Sequence, residues 1–415
     1  MRQFSAACTP YFNNEISLVM LNLFILFTIL LSGAILLWPR LANARLWRAT
    51  ITPLASIIGS GFLVLGPILN VNYGAAAPMV MAILCAIAYL FGHAIRYNIT
   101  PLQTHPTQLA GIARVERASS AVLAFAYVIS VAYYLNLFGA FGVSLTSFDT
   151  PIAARTLTSA VFLLILIVGW TKGFSALERM EQISVGIKLA IISGLLCGLI
   201  AHFGQAVSTQ TLVLSPSTIS GWSAATLMFG LIVTVQGFET SRYLGHSYDA
   251  PTRVRSMRLA QFVSTVIYMI YIVLLTYAFA PDTFELTETS IIDLMREVAP
   301  VLPALLVAAA LSAQFSAAVA DTSGSGGLIA EVSRGKVSQK ASYAILVGMG
   351  LAMTWVADVF EIISYASRAF AAYYALQSAI AALSAWSVKD RKRAFLFTAL
   401  SLFGLLVTCF GQSVE

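Results

Sequence analysis

Apolar runs of about 20 residues, separated by short polar segments, repeat along this chain, and each is long enough to cross the hydrocarbon core of a bilayer as a helix. The pattern predicts twelve such spans. They are 16–38, 50–71, 75–97, 119–146, 154–171, 182–203, 222–245, 258–280, 301–330, 341–357, 360–387 and 394–411. Because backbone polar groups cannot stay unpaired in lipid, the spans are expected to be helical. The pattern therefore predicts an all-α integral membrane protein with about twelve transmembrane helices.

Two spans carry glycine near their centre. Span 50–71 contains Gly59-Ser60-Gly61 between two prolines, and span 222–245 contains Gln236-Gly237-Phe238. Glycine and proline weaken a helix. A backbone break at membrane depth is tolerated only where protein buries it or where it lines a cavity. Both segments are therefore predicted to be helix breaks at which the backbone is open to a ligand.

Composition excludes a soluble enzyme. Hydrophobic residues make up 59% of the chain and charged residues 10%, whereas soluble proteins carry about 25% charged residues. The four cysteines and four histidines have no metal-ligand spacing, and the sequence contains no nucleophile–base constellation or phosphate loop. We expect no enzymatic activity, no metal and no organic cofactor, only a coupling ion.

The basic residues define an orientation, because short cytoplasmic loops are enriched in Lys and Arg. With residue 1 outside, the cytoplasmic loops hold nineteen of the 24 Lys and Arg residues. This predicts that both termini are outside, on the periplasmic face if the membrane is a bacterial inner membrane. The net charge of +6 is dispersed over six loops, so nucleic acid is not an expected partner.

The first span has a second interpretation. Residues 16–38 could form a signal peptide cleaved near Ala42-Asn43-Ala44. However, the apolar run is longer than a typical signal sequence, and the basic residues follow it instead of preceding it. A retained transmembrane helix is therefore the favoured interpretation.

The two breaks occupy corresponding positions if the chain contains an inverted repeat. Counting from span 50–71, the second break falls in the sixth core helix. In transporters built from two inverted halves, the first helix of each half is discontinuous and the ligand binds at the breaks. The predicted organisation is a leading helix and basic loop at 1–49, a ten-helix core at 50–390, and a final helix at 391–415. The two halves of the core are 50–204 and 219–390.

Three segments resemble a known family. Residues 57–62, Ile-Ile-Gly-Ser-Gly-Phe, resemble the first-helix motif of amino acid–polyamine–organocation (APC) permeases, and 236–239 resemble their sixth-helix Gly-Phe-Glu. Residues 173–189 resemble the approach to their fifth helix, which often carries a lysine. The extra leading helix and the run 317–323 are similar to sodium–solute symporters, which share the fold. The resemblance implies a LeuT-type inverted five-helix repeat that transports amino acids or related small amines by alternating access.

Free amides at a helix break attract an anion, and free carbonyls attract an amine or cation. A substrate carboxylate is expected on the amides near the first break, and an amine on carbonyls around Val235 and Gln236. The predicted substrate-binding residues are Ser60, Gly61, Phe62, Gln236, Gly237, Phe238 and Tyr134. Further candidates for the pocket wall are Tyr133, Asn136, Gln314 and Phe315. The alternative is that the small residues only permit close helix packing.

Ionisable residues inside spans are functional candidates. Four stand out: Lys188, Asp321, Glu239 and Arg368. Glu239 is expected to anchor the second break. Arg368 is expected to pair with a carboxylate (Asp358, Glu361 or Glu239), with an anionic substrate as the alternative.

The resemblance implies two forms of ion coupling. In sodium-coupled members the ion lies between first-helix carbonyls and eighth-helix hydroxyls, which here are Ala55 and Ile58 opposite Asp321, Thr322 and Ser325. In sodium-independent APC members a fifth-helix lysine takes that place, and Lys188 matches it. Because a lysine ammonium repels a nearby cation, proton coupling or exchange is favoured over sodium. The alternative is that Lys188 only snorkels to the cytoplasm.

Two other functions stay open. One is a sodium–solute symporter for a different small organic solute. The other is a channel, or a non-transporting sensor or assembly protein, although no ring of polar residues typical of a channel is present. The expected partners are the lipid bilayer and a small-molecule substrate, with the chain a monomer or a weak homo-oligomer.

Overall fold

A computed structural model describes residues 9–59, 61–99, 110–171 and 175–414, which form sixteen α-helices. In chain order these are α1 (Thr9–Leu36), α2 (Pro39–Ala42), α3 (Arg45–Ile57), α4 (Gly61–Tyr73), α5 (Ala77–Ile99), α6 (Ala110–Val143), α7 (Pro151–Thr171), α8 (Ser175–Ser208), α9 (Gly221–Gly230), α10 (Thr240–Tyr243), α11 (Ala250–Ala278), α12 (Ser290–Val298), α13 (Leu302–Val332), α14 (Gln339–Val356), α15 (Val359–Ser387) and α16 (Arg391–Phe410).

Each of the twelve predicted spans coincides with a helix or with a pair of half-helices. Span 50–71 is divided into α3 and α4, and span 222–245 into α9, a 3₁₀ turn at Ile232–Val235, and α10. Only the short helices α2 and α12 lie outside the predicted spans. Within the described residues, eight helical stretches are long and apolar enough to cross a membrane. The predicted all-α membrane fold is confirmed.

Local chemistry explains several helix ends. Asp358 and Glu361 form a capping box at the start of α15, in which each side chain accepts a bond from the other residue's backbone N–H. Inside α4, Pro67 has no N–H to donate to the carbonyl of Leu63 one turn earlier. The Tyr271 hydroxyl of α11 donates to that carbonyl at 3.2 Å. The proline therefore leaves an acceptor for the neighbouring helix.

Contacts between connecting segments agree with the span count. Arg45 pairs with Asp249 at 3.1 Å, and both segments are expected on the Lys- and Arg-rich side of the membrane. On the opposite side, the N–H of Gln412 donates to the carbonyl of Thr226 at 3.0 Å. Both contacts join segments that an even number of spans separates. The contacts do not depend on which side is cytoplasmic, so the orientation still rests on the basic residues.

Three pairs of helices in corresponding positions of the two predicted halves lie against each other. Helix α5 packs on α11, α6 on α13 and α7 on α14. The half-helix α4 also contacts the 3₁₀ turn of the second break. Outside these pairs, α1 packs mainly on α8, and α16 packs on α15. The two broken segments are thereby held at the centre of the bundle.

Candidate functional site

The two helix breaks lie in direct contact. Helix α3 ends at Ile57, Ile58 has non-helical angles (φ −84°, ψ 60°), and α4 begins at Gly61. A Cβ atom added to Gly61 would lie 3.1 Å from the Cα of Thr234 in the second break. Only a residue without a side chain permits this backbone approach. Ser60, a predicted substrate-binding residue, lies outside the described residues.

The second break also requires a glycine. Gln236 is extended (φ −81°, ψ 176°), and Gly237 has φ +112°, which residues with a side chain rarely adopt. A Cβ atom on Gly237 would lie 2.6 Å from the backbone carbon of Ser56 in α3. The backbones of the two breaks therefore touch at Gly61–Thr234 and at Gly237–Ser56.

Tyr268 of α11 holds the two breaks together. Its hydroxyl lies within hydrogen-bond distance of the carbonyls of Ile57 (3.0 Å) and Thr234. The side chain is fully buried, and a phenol has one proton, which the two carbonyls share. Sequence reasoning did not select Tyr268, because a tyrosine in an apolar helix has no distinguishing pattern.

The predicted aromatic residues at the breaks point into packing contacts. Phe62 packs against Tyr271 with ring centroids 4.4 Å apart, and Phe238 stacks on Tyr374 at 5.1 Å. The amide of Phe62 donates to the carbonyl of Gly59 at 3.4 Å. In this conformation the Phe62 and Phe238 side chains therefore pack the breaks against the neighbouring helices α11 and α15.

The side chains of Tyr134 and Gln236, both predicted to bind substrate, contact each other. The side-chain amide of Gln236 donates to the Tyr134 hydroxyl at 3.1 Å. The Gln236 Oε1 atom is buried and accepts no hydrogen bond from the described residues. The hydroxyl of Tyr133 is adjacent to Gly61, because a Cβ there would lie 2.7 Å from it.

The remaining wall candidates differ in their surroundings. Asn136 donates to Thr354 of α14 at 2.9 Å and so joins α6 to α14; its place in the pocket wall stays a prediction. Gln314 is fully buried, and neither end of its side-chain amide has a partner among the described residues. Phe315 packs near Phe138, with ring centroids 6.4 Å apart.

Lys188 contacts the end of the first broken helix. Its ammonium donates to the carbonyl of Ala55 at 2.8 Å, and the side chain is 6% exposed. Lys188 and Asp321 line one cavity of about 50 Å³ together with Ser56 and Thr240 from the two broken helices. Asp321 accepts a hydrogen bond from the Ser130 hydroxyl of α6. The cavity therefore places a cation, an anion and both broken helices together.

The other residues of the predicted sodium site are arranged less favourably. Thr322 donates to the carbonyl of Ala318 in its own helix at 2.6 Å, and Ser325 donates to the carbonyl of Ala124 at 3.2 Å. Ile58 and Thr322 are not among the residues that line the cavity. Of the predicted ligands, Ala55 and Asp321 face the cavity, and the Ala55 carbonyl accepts a bond from the lysine.

Glu239 binds the backbone of the second break through its carboxylate. Its Oε2 atom accepts from the Gly237 N–H at 3.0 Å and from the Tyr374 hydroxyl of α15 at 2.9 Å. The residue is 1% exposed. Because both bonds end on one carboxylate oxygen, Glu239 connects the strained Gly237 to α15.

Arg368 is not arranged as predicted. Its Nε atom donates to the carbonyl of Thr408 at 2.8 Å, and among the described residues it forms no ion pair. Asp358 and Glu361 cap α15. The expected pairing of Arg368 with Asp358, Glu361 or Glu239 is therefore wrong.

A family model described as an APC superfamily transporter matches residues 39–411, which include both breaks and every site residue above. A protein of Aquifex aeolicus (strain VF5), described as an uncharacterized protein, is 42% identical over 388 residues, covering 91% of this chain and 93% of that protein. The match to the family model begins at residue 39, so the leading helix α1 lies outside it. On this evidence the chain belongs to the APC superfamily of transporters.

Proposed function

We propose that this protein is a secondary transporter that moves amino acids or related small amines by alternating access, without enzymatic activity and without sodium coupling. The observation that carries the proposal is the direct contact of the two helix breaks, with Lys188 bound to the Ala55 carbonyl at 2.8 Å. Proton coupling or substrate exchange is the corresponding mode of transport.

The arrangement of the helices supports an inverted five-helix repeat of the LeuT type. The counterparts α5 and α11, α6 and α13, and α7 and α14 pack pairwise, an arrangement that a pseudo-twofold axis in the membrane plane between them would produce. We assign the halves to 50–204 and 219–390, with α1 and α16 as additions. Such a repeat gives two conformations of similar energy, one open to each side, and substrate shifts the balance between them.

The polar atoms at the breaks fit a zwitterionic substrate. The start of α4 at Gly61 presents the positive end of a helix dipole, which favours a carboxylate. Gln236 supplies an unpaired buried acceptor, Oε1, which favours an amine. Lys188 and Asp321 line the small cavity beside the breaks together with Ser56 and Thr240, and we assign them to coupling and not to substrate recognition.

The cavity that Lys188 and Asp321 line is small. Water-sized spheres fill about 50 Å³ of it, which is room for a few water molecules. We infer that an amino acid binds at the breaks only when the broken helices separate, which is the movement that alternating access supplies.

A sodium–solute symporter is the second candidate, and Asp321 favours it, because a carboxylate in the cavity would attract Na⁺.

Uptake into proteoliposomes decides between the two. A thermal-shift screen of amino acids, amines and organic acids selects the labelled substrate, and uptake is then measured with Na⁺ or choline outside at several pH gradients. We expect the rate of uptake to be unchanged when choline replaces Na⁺. The rate should increase with the pH gradient or with the concentration of substrate inside the vesicles. Uptake that needs Na⁺ would support the symporter, and uptake of organic acids alone would contradict the amine-type substrate.

We also propose a location in a bacterial inner membrane with both termini on the periplasmic side. The support is the enrichment of Lys and Arg in the loops that the span count places inside. Labelling of an engineered cysteine at Gln412 by an impermeant maleimide in intact spheroplasts would test this, since Gln412 lies on the periplasmic side only in this orientation.

A further inference from the structure

A second cavity, lined by none of the residues of the two breaks, opens on the outer surface of the bundle between α6, α14, α15 and α16. It has a volume of about 470 Å³. Its apolar walls include Val122, Phe125 and Ile129 of α6 and Met349 and Met353 of α14. Phe125 is 50% exposed and Met349 is 39% exposed. The surface that carries the groove faces the hydrocarbon of the bilayer if the spans cross the membrane as assigned.

One charged residue lines this apolar groove, namely Arg368. Among the described residues, its Nε atom alone has a hydrogen-bond partner, the carbonyl of Thr408. Among the described residues no carboxylate oxygen lies within 4.0 Å of the guanidinium. A guanidinium has four further N–H groups, which suit two oxygens of one phosphate. A charge at membrane depth without a protein partner is costly. An anion bound in the groove would therefore stabilise the guanidinium.

Arg368 lies within reach of the lipid head groups on one membrane face. Arg368 lies five residues before the midpoint of α15, about 7 Å along the helix axis, and Thr408 lies about 11 Å beyond the midpoint of α16. Both displacements are toward the same membrane face. The hydrocarbon core extends about 15 Å from its centre, so the guanidinium lies a few ångströms below the head groups. Ile129 lies about 5 Å from the middle of the predicted span 119–146, and Val122 lies closer to the start of that span, so the groove extends from Arg368 to the bilayer centre and beyond it.

We propose that this groove binds one anionic phospholipid, with its phosphate on Arg368 and one acyl chain along α6 and α14. A free phosphate ion would satisfy the guanidinium but leave the apolar walls uncovered. A zwitterionic lipid would bring a quaternary amine close to the arginine. The combination of a single cation and a long apolar groove therefore selects an anionic amphiphile such as phosphatidylglycerol. The site does not depend on the transport activity proposed above.

Native mass spectrometry of the full-length protein in detergent, titrated with phosphatidylglycerol or phosphatidylcholine, tests this. We expect the wild type to bind one phosphatidylglycerol more tightly than phosphatidylcholine. Loss of a charged hydrogen-bond donor in Arg368→Gln should weaken that binding about tenfold. Arg155→Gln is the matched control, since Arg155 is partly exposed on α7 near the same membrane face and does not line the groove.

A second variant keeps the experiment decisive if Arg368→Gln fails to fold. Ala372 lines the groove and is partly exposed, so Ala372→Phe fills it while leaving the arginine in place, and this variant should also lose the tight lipid. Equal binding of both lipids, or unchanged phosphatidylglycerol binding in both groove variants, would overturn the proposal. So would displacement of the lipid by millimolar inorganic phosphate, or a dimer that replaces the lipid and dissociates in the groove variants.

Discussion

Replacing Lys188 by methionine should convert the transporter to one that responds to sodium. The lysine ammonium lies 2.8 Å from the Ala55 carbonyl oxygen. A hard cation bound to that oxygen at about 2.4 Å would be at most about 5 Å from the ammonium. With an effective dielectric constant of about 20, two such charges repel each other by about 3 kcal/mol. The lysine therefore weakens sodium binding by roughly 200-fold.

Methionine removes this charge but keeps most of the side-chain volume, and Asp321 then remains as the charged residue of the cavity. We expect wild-type uptake to be the same in Na⁺ and in choline. In Lys188→Met, uptake should lose its response to a pH gradient and should become stimulated by Na⁺. The assay is proteoliposome uptake of the substrate found by thermal shift, with Na⁺ varied from micromolar to molar concentrations.

Two controls make the result interpretable. Lys340→Met removes an exposed lysine at the start of α14 and should leave uptake unchanged. Lys188→Met/Asp321→Asn removes both charges and should abolish the Na⁺ stimulation. The proton-carrier interpretation is wrong if Lys188→Ala keeps coupled uptake and its pH dependence intact. The competition argument is wrong if wild-type uptake already requires Na⁺.

Three further changes test the breaks themselves. Gly237→Ala should abolish uptake and lower thermal stability, because φ +112° and a Cβ 2.6 Å from Ser56 cannot both be accommodated; Gly348→Ala, with open space around the added Cβ, should have no effect in the same assays. Tyr268→Phe should lower stability by about 1–3 kcal/mol, because buried carbonyls lose their donor, and an unchanged melting temperature would contradict the bridging role. Glu239→Gln should lower the melting temperature while leaving the KM for substrate within about threefold; the reverse pattern would make Glu239 a substrate ligand.

Much of the fold follows from local sequence. An apolar run of about 20 residues can satisfy its backbone in lipid only as a helix, so the twelve spans were predictable one by one. The two breaks were predictable for the same reason, since glycine at the centre of an apolar run is a local exception. The motifs at 57–62 and 236–239 also carried the family, which the match over residues 39–411 confirmed.

Individual side-chain partners were predicted less well. The position of Arg368 within a span was evident, but its pairing with a carboxylate was wrong, because the acceptor it meets is a backbone carbonyl of α16. Asn136 was a candidate for the pocket wall, but its sequence did not reveal that the rotation of α6 directs its side chain to Thr354 of α14. An apolar helix that is buried on most sides has no clear polar face, so its sequence does not specify its rotation.

By itself the sequence determined the class of protein, the number of spans, the positions of the two breaks and the family, because each depends on hydrophobicity or backbone freedom over a few residues. Only the tertiary structure decided which groups meet. Tyr268 reaches the carbonyls of Ile57 and Thr234, and Lys188 reaches Ala55 over 133 positions of sequence. Such contacts depend on the register and rotation of helices packed against each other, and these are determined by the whole bundle at once.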